Sequence, residues 1–131
     1  MKKDIEIPES KEIYVAIVRE KNEEFQSLEW NAYIINDRET SIEMALIVVR
    51  GFDEEKSTSI MRHSINILQA KSFSKIEFLQ DEVLGLNNQF SVSYFADNKM
   101  YEKTFMFKKN TINEAALKDL PVMKIKGVLV K

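Results

Sequence analysis

The sequence predicts an all-β fold: an antiparallel β-sandwich of immunoglobulin-like arrangement, with seven to eight strands and one or two short helical turns. Three observations carry the prediction. Apolar residues recur at every second position over most of the chain, most clearly at Phe90, Val92 and Tyr94 and again at Tyr101, Phe105 and Phe107. A period of two places alternate side chains on one face of a strand. Turn chemistry punctuates these runs roughly every ten residues, as at Asp97-Asn98-Lys99 between the two aromatic runs. Little of the chain carries a helical period. A closed barrel is the alternative architecture.

Residues 1–11 are charged, include Pro8 and read as a loosely ordered lead-in. Ile13, Val15 and Ile17 then alternate with Tyr14, Ala16 and Val18, a first strand with both faces apolar. Residues 20–27 are polar and connect. Leu28, Trp30, Ala32 and Ile34 alternate with Glu29, Asn31, Tyr33 and Ile35 in a second strand, which stops at the turn cluster Asn36-Asp37-Arg38-Glu39. Ile42, Met44, Leu46 and Val48 form the next alternation. Ala45, Ile47 and Val49 make its later half apolar on both faces, as for a central strand under cover. Gly51 closes it, and residues 52–58 read as a charged, hydroxylic, mobile loop.

Residues 59–68 fit a strand by their β-branched content, with a helix competing because Ile60, Ser64, Ile67 and Leu68 also suit a helical stripe. Ala70 to Ser74 turn the chain, and Ile76 and Phe78 alternate with Glu77 and Leu79. Asp81 to Leu86 reads as one helical turn with acidic residues at its positive end. Residues 90–96 and 100–107 form a hairpin. Thr111-Ile112-Asn113-Glu114 fits a capping box opening a short helix from Ile112 to Leu120, which Pro121 helps to stop. Residues 122–130 read as a last strand or an extended tail, weakened by Gly127.

At 131 residues the chain has the size of one domain, expected to span 1–131. Lys and Arg are scattered among Asp and Glu, and the net charge is −2, so a broad phosphate-binding surface is not expected. With no cysteine, disulfides, thiolate nucleophiles and cysteine metal sites are all excluded. Asp4, Glu6, Pro8 and Glu9 stand where a signal peptide needs an apolar run. No run of about 18 apolar residues is present to span a membrane as a helix. A cytoplasmic location is the expectation.

His63 is the sole histidine, so any Ser-His-Asp arrangement would have to use it as base. No Gly-x-Ser-x-Gly turn accompanies it. With one His and no Cys a metal site would rest on carboxylates, and no calcium-binding loop is present, so neither metal nor cofactor is expected. A structural or surface role for His63 is favoured over a catalytic one. Arg62 and His63 stand near Ser57-Thr58-Ser59, a pattern that could bind an anion or a phosphorylated loop; a solvated strand edge is the plainer reading. Glu77, Asp81 and Glu82 could run acid–base chemistry only if their pKa values were pushed apart, and a solvated face and helix-end role is favoured. The hairpin aromatics Phe90, Tyr94, Phe95, Tyr101, Phe105 and Phe107, beside Lys99, Lys103, Lys108 and Lys109, invite a nucleic-acid reading, in which bases stack on exposed rings. At period two, however, these rings are expected to be core. Three glycines exclude the usual Gly-rich phosphate loops.

The segments Trp30-Asn31-Ala32-Tyr33-Ile34-Ile35-Asn36, Ile42-Glu43-Met44, Thr58 to His63 and Leu86-Asn87-Asn88-Gln89-Phe90 resemble an uncharacterised family of small bacterial proteins. Members are sometimes labelled phenylalanyl-tRNA synthetase alpha subunit. The sequence gives that label no support, being far too short for a synthetase core and lacking its ATP-binding motif. The resemblance implies no activity and no catalytic residue.

These readings converge on a non-catalytic cytosolic module that binds another protein or itself, because a sandwich has edges that recruit partners. Arg62 and His63 are its candidate binding residues. RNA or single-stranded nucleic-acid binding through the 90–109 hairpin is the alternative.

Overall fold

Eight strands form two antiparallel four-stranded sheets in the computed structural model, which describes residues 10–130. They are β1 (Ile13–Asn22), β2 (Ser27–Asn36), β3 (Ile42–Phe52), β4 (Met61–Leu68), β5 (Ser72–Leu79), β6 (Asn87–Ala96), β7 (Lys99–Phe107) and β8 (Gly127–Leu129). One sheet has the order β5-β2-β1-β8 and the other β4-β3-β6-β7. The all-β sandwich expected from the alternation is thus the fold, and of residues 59–68 the part Met61–Leu68 is strand rather than helix.

The aromatic hairpin forms in the expected register. Ala96 pairs with Lys99, and Asp97 and Asn98 between them take φ of 55° and 62°. Positive φ at both central residues matches the right-handed twist of the flanking strands, and Asp and Asn tolerate it. The inward set Phe90, Tyr94, Phe105 and Phe107 is fully buried. Phe90 meets Phe107 edge to face, and Tyr94 stacks on Tyr101 with centroids 5.2 Å apart. From the facing sheet come Val15, Ile17, Trp30, Ala32 and Ile34.

Two irregularities shift which residues face inward. Met44 has φ 50°, and the register of β3 against β6 slips between Glu43 and Leu46. The inward set therefore changes from Ile42 to Ala45, Ile47 and Val49, while Met44 and Leu46 are turned out. This corrects the expected face Ile42-Met44-Leu46-Val48: a bulge inserts one residue, and the alternation changes parity beyond it. A second bulge, opposite Ala32/Tyr33, turns two successive β5 residues inward, Ile76 and Glu77.

The two sheets differ in cover. Ala16, Val18 and Ile35 form the outer face of the β5-β2-β1-β8 sheet, and Leu120, Val122, Met123 and Ile125 pack over them. That explains why β1 is apolar on both sides. Most of residues 118–126 is irregular, Val122 sits at φ 66°, and only Gly127–Leu129 pairs as strand, against β1. The expected helix over Ile112–Leu120 does not form. A three-residue 3-10 turn at Glu114–Ala116 replaces it, capped by Asn113, whose side chain accepts from the Ala116 N–H. The Thr111 hydroxyl instead donates to the Lys108 carbonyl at 2.6 Å, so no capping box closes. The acidic turn at Asp81–Leu84 does form a single helical turn, α1.

The lead-in expectation over residues 1–9 lies outside the described residues. Ser10 is buried, and its hydroxyl shares a hydrogen bond with the Tyr94 hydroxyl at 2.8 Å. Among the described residues no helix is long and apolar enough to cross a membrane.

Candidate functional site

β4 and β5 are consecutive strands on different sheets, so they form the two lips of one open side of the sandwich. His63 faces Ile47 on the inward side of β4, and Glu77 lies inward on β5 because of the second bulge. His63 Nε2 and Glu77 Oε1 meet at 2.7 Å. Both side chains are about three-quarters shielded from water, with relative exposures of 27% and 21%. Arg62 pairs with Val48 and points the other way, into solvent on the outer face. The two candidate residues, adjacent in sequence, do not share a surface.

Past the His63–Glu77 contact the lips splay around a cleft of about 360 Å³. Val49, Met61, Leu79 and Val83 give it apolar walls, and Arg50, Thr58, Ser59, Glu77 and Gln80 a polar rim; His63 does not line it. The rim hydroxyl is already engaged, since Thr58 Oγ1 accepts from the Gly51 N–H and donates to the Ser59 carbonyl.

The loop expected to be mobile is closed by hydrogen bonds. Asp53 Oδ1 accepts from the N–H groups of Glu55 and Lys56, an Asx turn, and Phe52 bridges Ser57. The backbone donors of Glu55 and Lys56 hold the Asp53 carboxyl below the usual carboxylate range. Lys109 reaches across to Glu54 at 3.1 Å. Asp81 and Glu82 lie exposed in the first turn of α1, apart from the His63–Glu77 contact.

The outer face of the β4-β3-β6-β7 sheet has no cover among the described residues. Ile67, Glu43, Phe95 and Met100 line up as one cross-strand row, followed by Ser64, Leu46, Ser93 and Glu102, then by Arg62, Val48, Ser91 and Thr104. Residues paired across strands share a face. Met44, Leu46, Ile67, Phe95 and Met100 are between 40% and 68% exposed. The small side chains Ser91, Ser93 and Thr104 floor a shallow trough beside Leu46 and Val48. The sequence hides this face because the later half of β3 is apolar on both sides, the pattern of a covered strand. The available signal was the β6–β7 pattern, in which Phe95 and Met100 stand out of phase with the buried aromatics.

On the opposite sheet, Glu20 Oε1 accepts from both Asn31 Nδ2 and the Tyr33 hydroxyl, each at 2.8 Å. Burial first, and Glu20 second, push the Tyr33 phenol up to about 12. Glu20, Asn31 and Tyr33 form a structural network, with Tyr33 packed against the C-terminal cover.

Of the hairpin aromatics singled out in the sequence, Phe90, Tyr94, Phe105 and Phe107 are core, and Phe95 alone is widely exposed. Among the described residues no cluster of three His, Cys, Asp or Glu side chains is placed to hold a metal. No protein-family model, no curated protein and no solved structure matches the chain.

Proposed function

We propose that the chain is a non-catalytic cytosolic module whose uncovered outer sheet face binds protein. The observation that carries this reading is the asymmetry of cover. One sheet has its outer face sealed by residues 118–126, while the other presents Met44, Leu46, Ile67, Phe95 and Met100 to water. Exposed apolar side chains gathered on one sheet face, here with Glu43 and serines among them, mark an interaction surface. Phe95 and Met100 pair directly across β6 and β7 and supply the adaptable, aromatic anchor such surfaces use.

Two further observations favour protein over the other classes. The sole histidine does not line the cleft, and the one carboxylate that does, Glu77, is engaged by His63. Of the hairpin rings that would stack nucleic-acid bases, Phe90, Tyr94, Phe105 and Phe107 are inside the core and Phe95 alone is widely exposed. The strand order also supports the immunoglobulin-like arrangement. β1, β2 and β5 share one sheet, as strands A, B and E do, and β3, β6 and β7 the other, as strands C, F and G do.

Immobilised chain tests the reading. Wild type, Phe95→Glu and Phe25→Glu are compared for proteins retained from the source cell extract, the chain itself included. Phe25, exposed in the β1–β2 loop at a distance from the face, is the control. Retention lost for Phe95→Glu and kept for Phe25→Glu is the expected result. Equal retention by all three overturns it.

A further inference from the structure

The geometry points to a second copy of this chain as the occupant of the uncovered face, packed sheet on sheet about a two-fold axis that runs across the strands. The inference rests on the protein-binding reading above and goes further by naming the partner. It comes from how charge and apolar surface are distributed along the strands.

Glu43 lies near one end of the β3 outer face and Arg50, its guanidinium over the Phe52 ring, near the other, with Leu46 and Val48 between them. On β7 the sequence is Met100, Glu102, Thr104, Met106, with Met100 opposite Phe95 and Met106 opposite Gln89. A two-fold axis lying in the interface and crossing the strands between Leu46 and Val48 reverses strand direction and keeps each strand over its own copy. Glu43 then faces the partner copy's Arg50 twice over, Met100 faces the partner copy's Met106, and Leu46 faces the partner copy's Val48. Glu43, Leu46, Val48 and Arg50 of β3 each meet a chemical complement, as an isologous interface requires. The other in-plane axis, parallel to the strands, sets Glu43 against the partner copy's Phe95 and buries a carboxylate on a ring.

Strand spacing and rise give the four-strand face roughly 500 Å² per copy, about 1,000 Å² in all. That lies at the weak end of specific interfaces, so the dimer is concentration-dependent rather than obligate.

Sedimentation equilibrium of the purified full chain, from roughly 10 µM to 1 mM, reads the association. The weight-average mass is expected to rise toward that of two chains. Glu43→Lys alone and Arg50→Glu alone are expected to lower the association constant at least about tenfold, and the double charge exchange to restore it. Raising salt weakens wild type in the same sense.

Because the chain has no cysteine, register is read by disulfide trapping. An equimolar mixture of Met100→Cys and Met106→Cys chains is expected to form mixed disulfides faster than Met100→Cys chains alone form homodimers. A chain that stays monomeric throughout, or Cys-substituted chains that pair equally in every combination, overturns the inference. If such a monomer still loses its extract partners with Phe95→Glu, the occupant is a different protein and the protein-binding reading stands. If the monomer retains nothing from extract, both fall.

Discussion

His63 on β4 and Glu77 on β5 meet at 2.7 Å across the open side of the sandwich and tie the edge of one sheet to the edge of the other. Elsewhere on that side β4 and β5 touch sparingly, and their far ends splay around the cleft. A hydrogen bond to a charged group at a site about three-quarters shielded is worth about 1.5–3 kcal/mol. His63→Ala and Glu77→Ala should each lower stability to urea by about that much, and the double variant should cost less than the sum. Arg62→Ala, one residue away on the outer face, should change stability by no more than about 0.5 kcal/mol. A larger loss from Arg62 than from His63 contradicts this assignment.

Trp30, the sole tryptophan, is 4% exposed in the main core, and the Arg19 guanidinium lies 4.9 Å from its ring centroid. Its truncation to Ala should cost about 3–5 kcal/mol, as large core aromatics do. In the intact chain its fluorescence should resist aqueous iodide. An indole quenched as freely as the free amino acid contradicts the placement.

Gly127 holds the C-terminal cover against β1. A Cβ there would lie 2.8 Å from Leu120 Cδ1 and 3.0 Å from the Ile17 carbonyl oxygen. The Leu120 methyl can shift, but the β1 backbone cannot without disturbing its pairing. Gly127→Ala should therefore destabilise by about 1–3 kcal/mol, the range for overpacking, as read by denaturant midpoint. A variant as stable as wild type shows that the cover is looser than the structure has it.

The Tyr33 phenol, pushed up to about 12 by burial and Glu20, stays neutral where an ordinary tyrosine ionises. Its folded pKa is raised above the unfolded value, so the stabilisation is complete below pH of about 10 and is lost as pH climbs toward about 12. Burial raises the Tyr94 phenol as well, so an ultraviolet titration should show more than one late-ionising tyrosine, with the late phase reduced by one group in Tyr33→Phe. A late phase left undiminished by Tyr33→Phe contradicts the assignment.

The hairpin was legible because its two periods and its turn chemistry agree: Phe90, Val92 and Tyr94 on one side, Asp97-Asn98 between. β3 was not, because Met44 through Val49 is apolar at both parities and the bulge at Met44 leaves no mark in such a run. That ambiguity hid the open face, since an exposed Leu46 and a buried Leu46 read alike. Thr111-x-x-Glu114 had the spacing of a capping box, yet Asn113 took the cap and Glu114 lies 3.6 Å from Arg19. Local pattern lost there to a contact with a residue far back in the chain. The His63–Glu77 pairing joins two strands on different sheets through a bulge, and neither the sheet exchange nor the bulge is written in residue type. Residues 118–126 cover a sheet with no periodicity at all, so only the doubly apolar β1 hinted that something must lie over it.

The central claim is that the outer face of the β4-β3-β6-β7 sheet is where partners sit. Methionines report on it directly, since exposed thioethers oxidise and covered ones are protected. Met44 and Met100 lie on the face at 68% and 40% exposure, and Met61 stands 50% exposed at the cleft. Residue-resolved oxidation by mass spectrometry compares the dilute purified chain with the chain in concentrated extract of its own cells. The account predicts that Met44 and Met100 oxidise more slowly in extract, relative to Met61. Slowing confined to Met61, or no difference among the three, contradicts it.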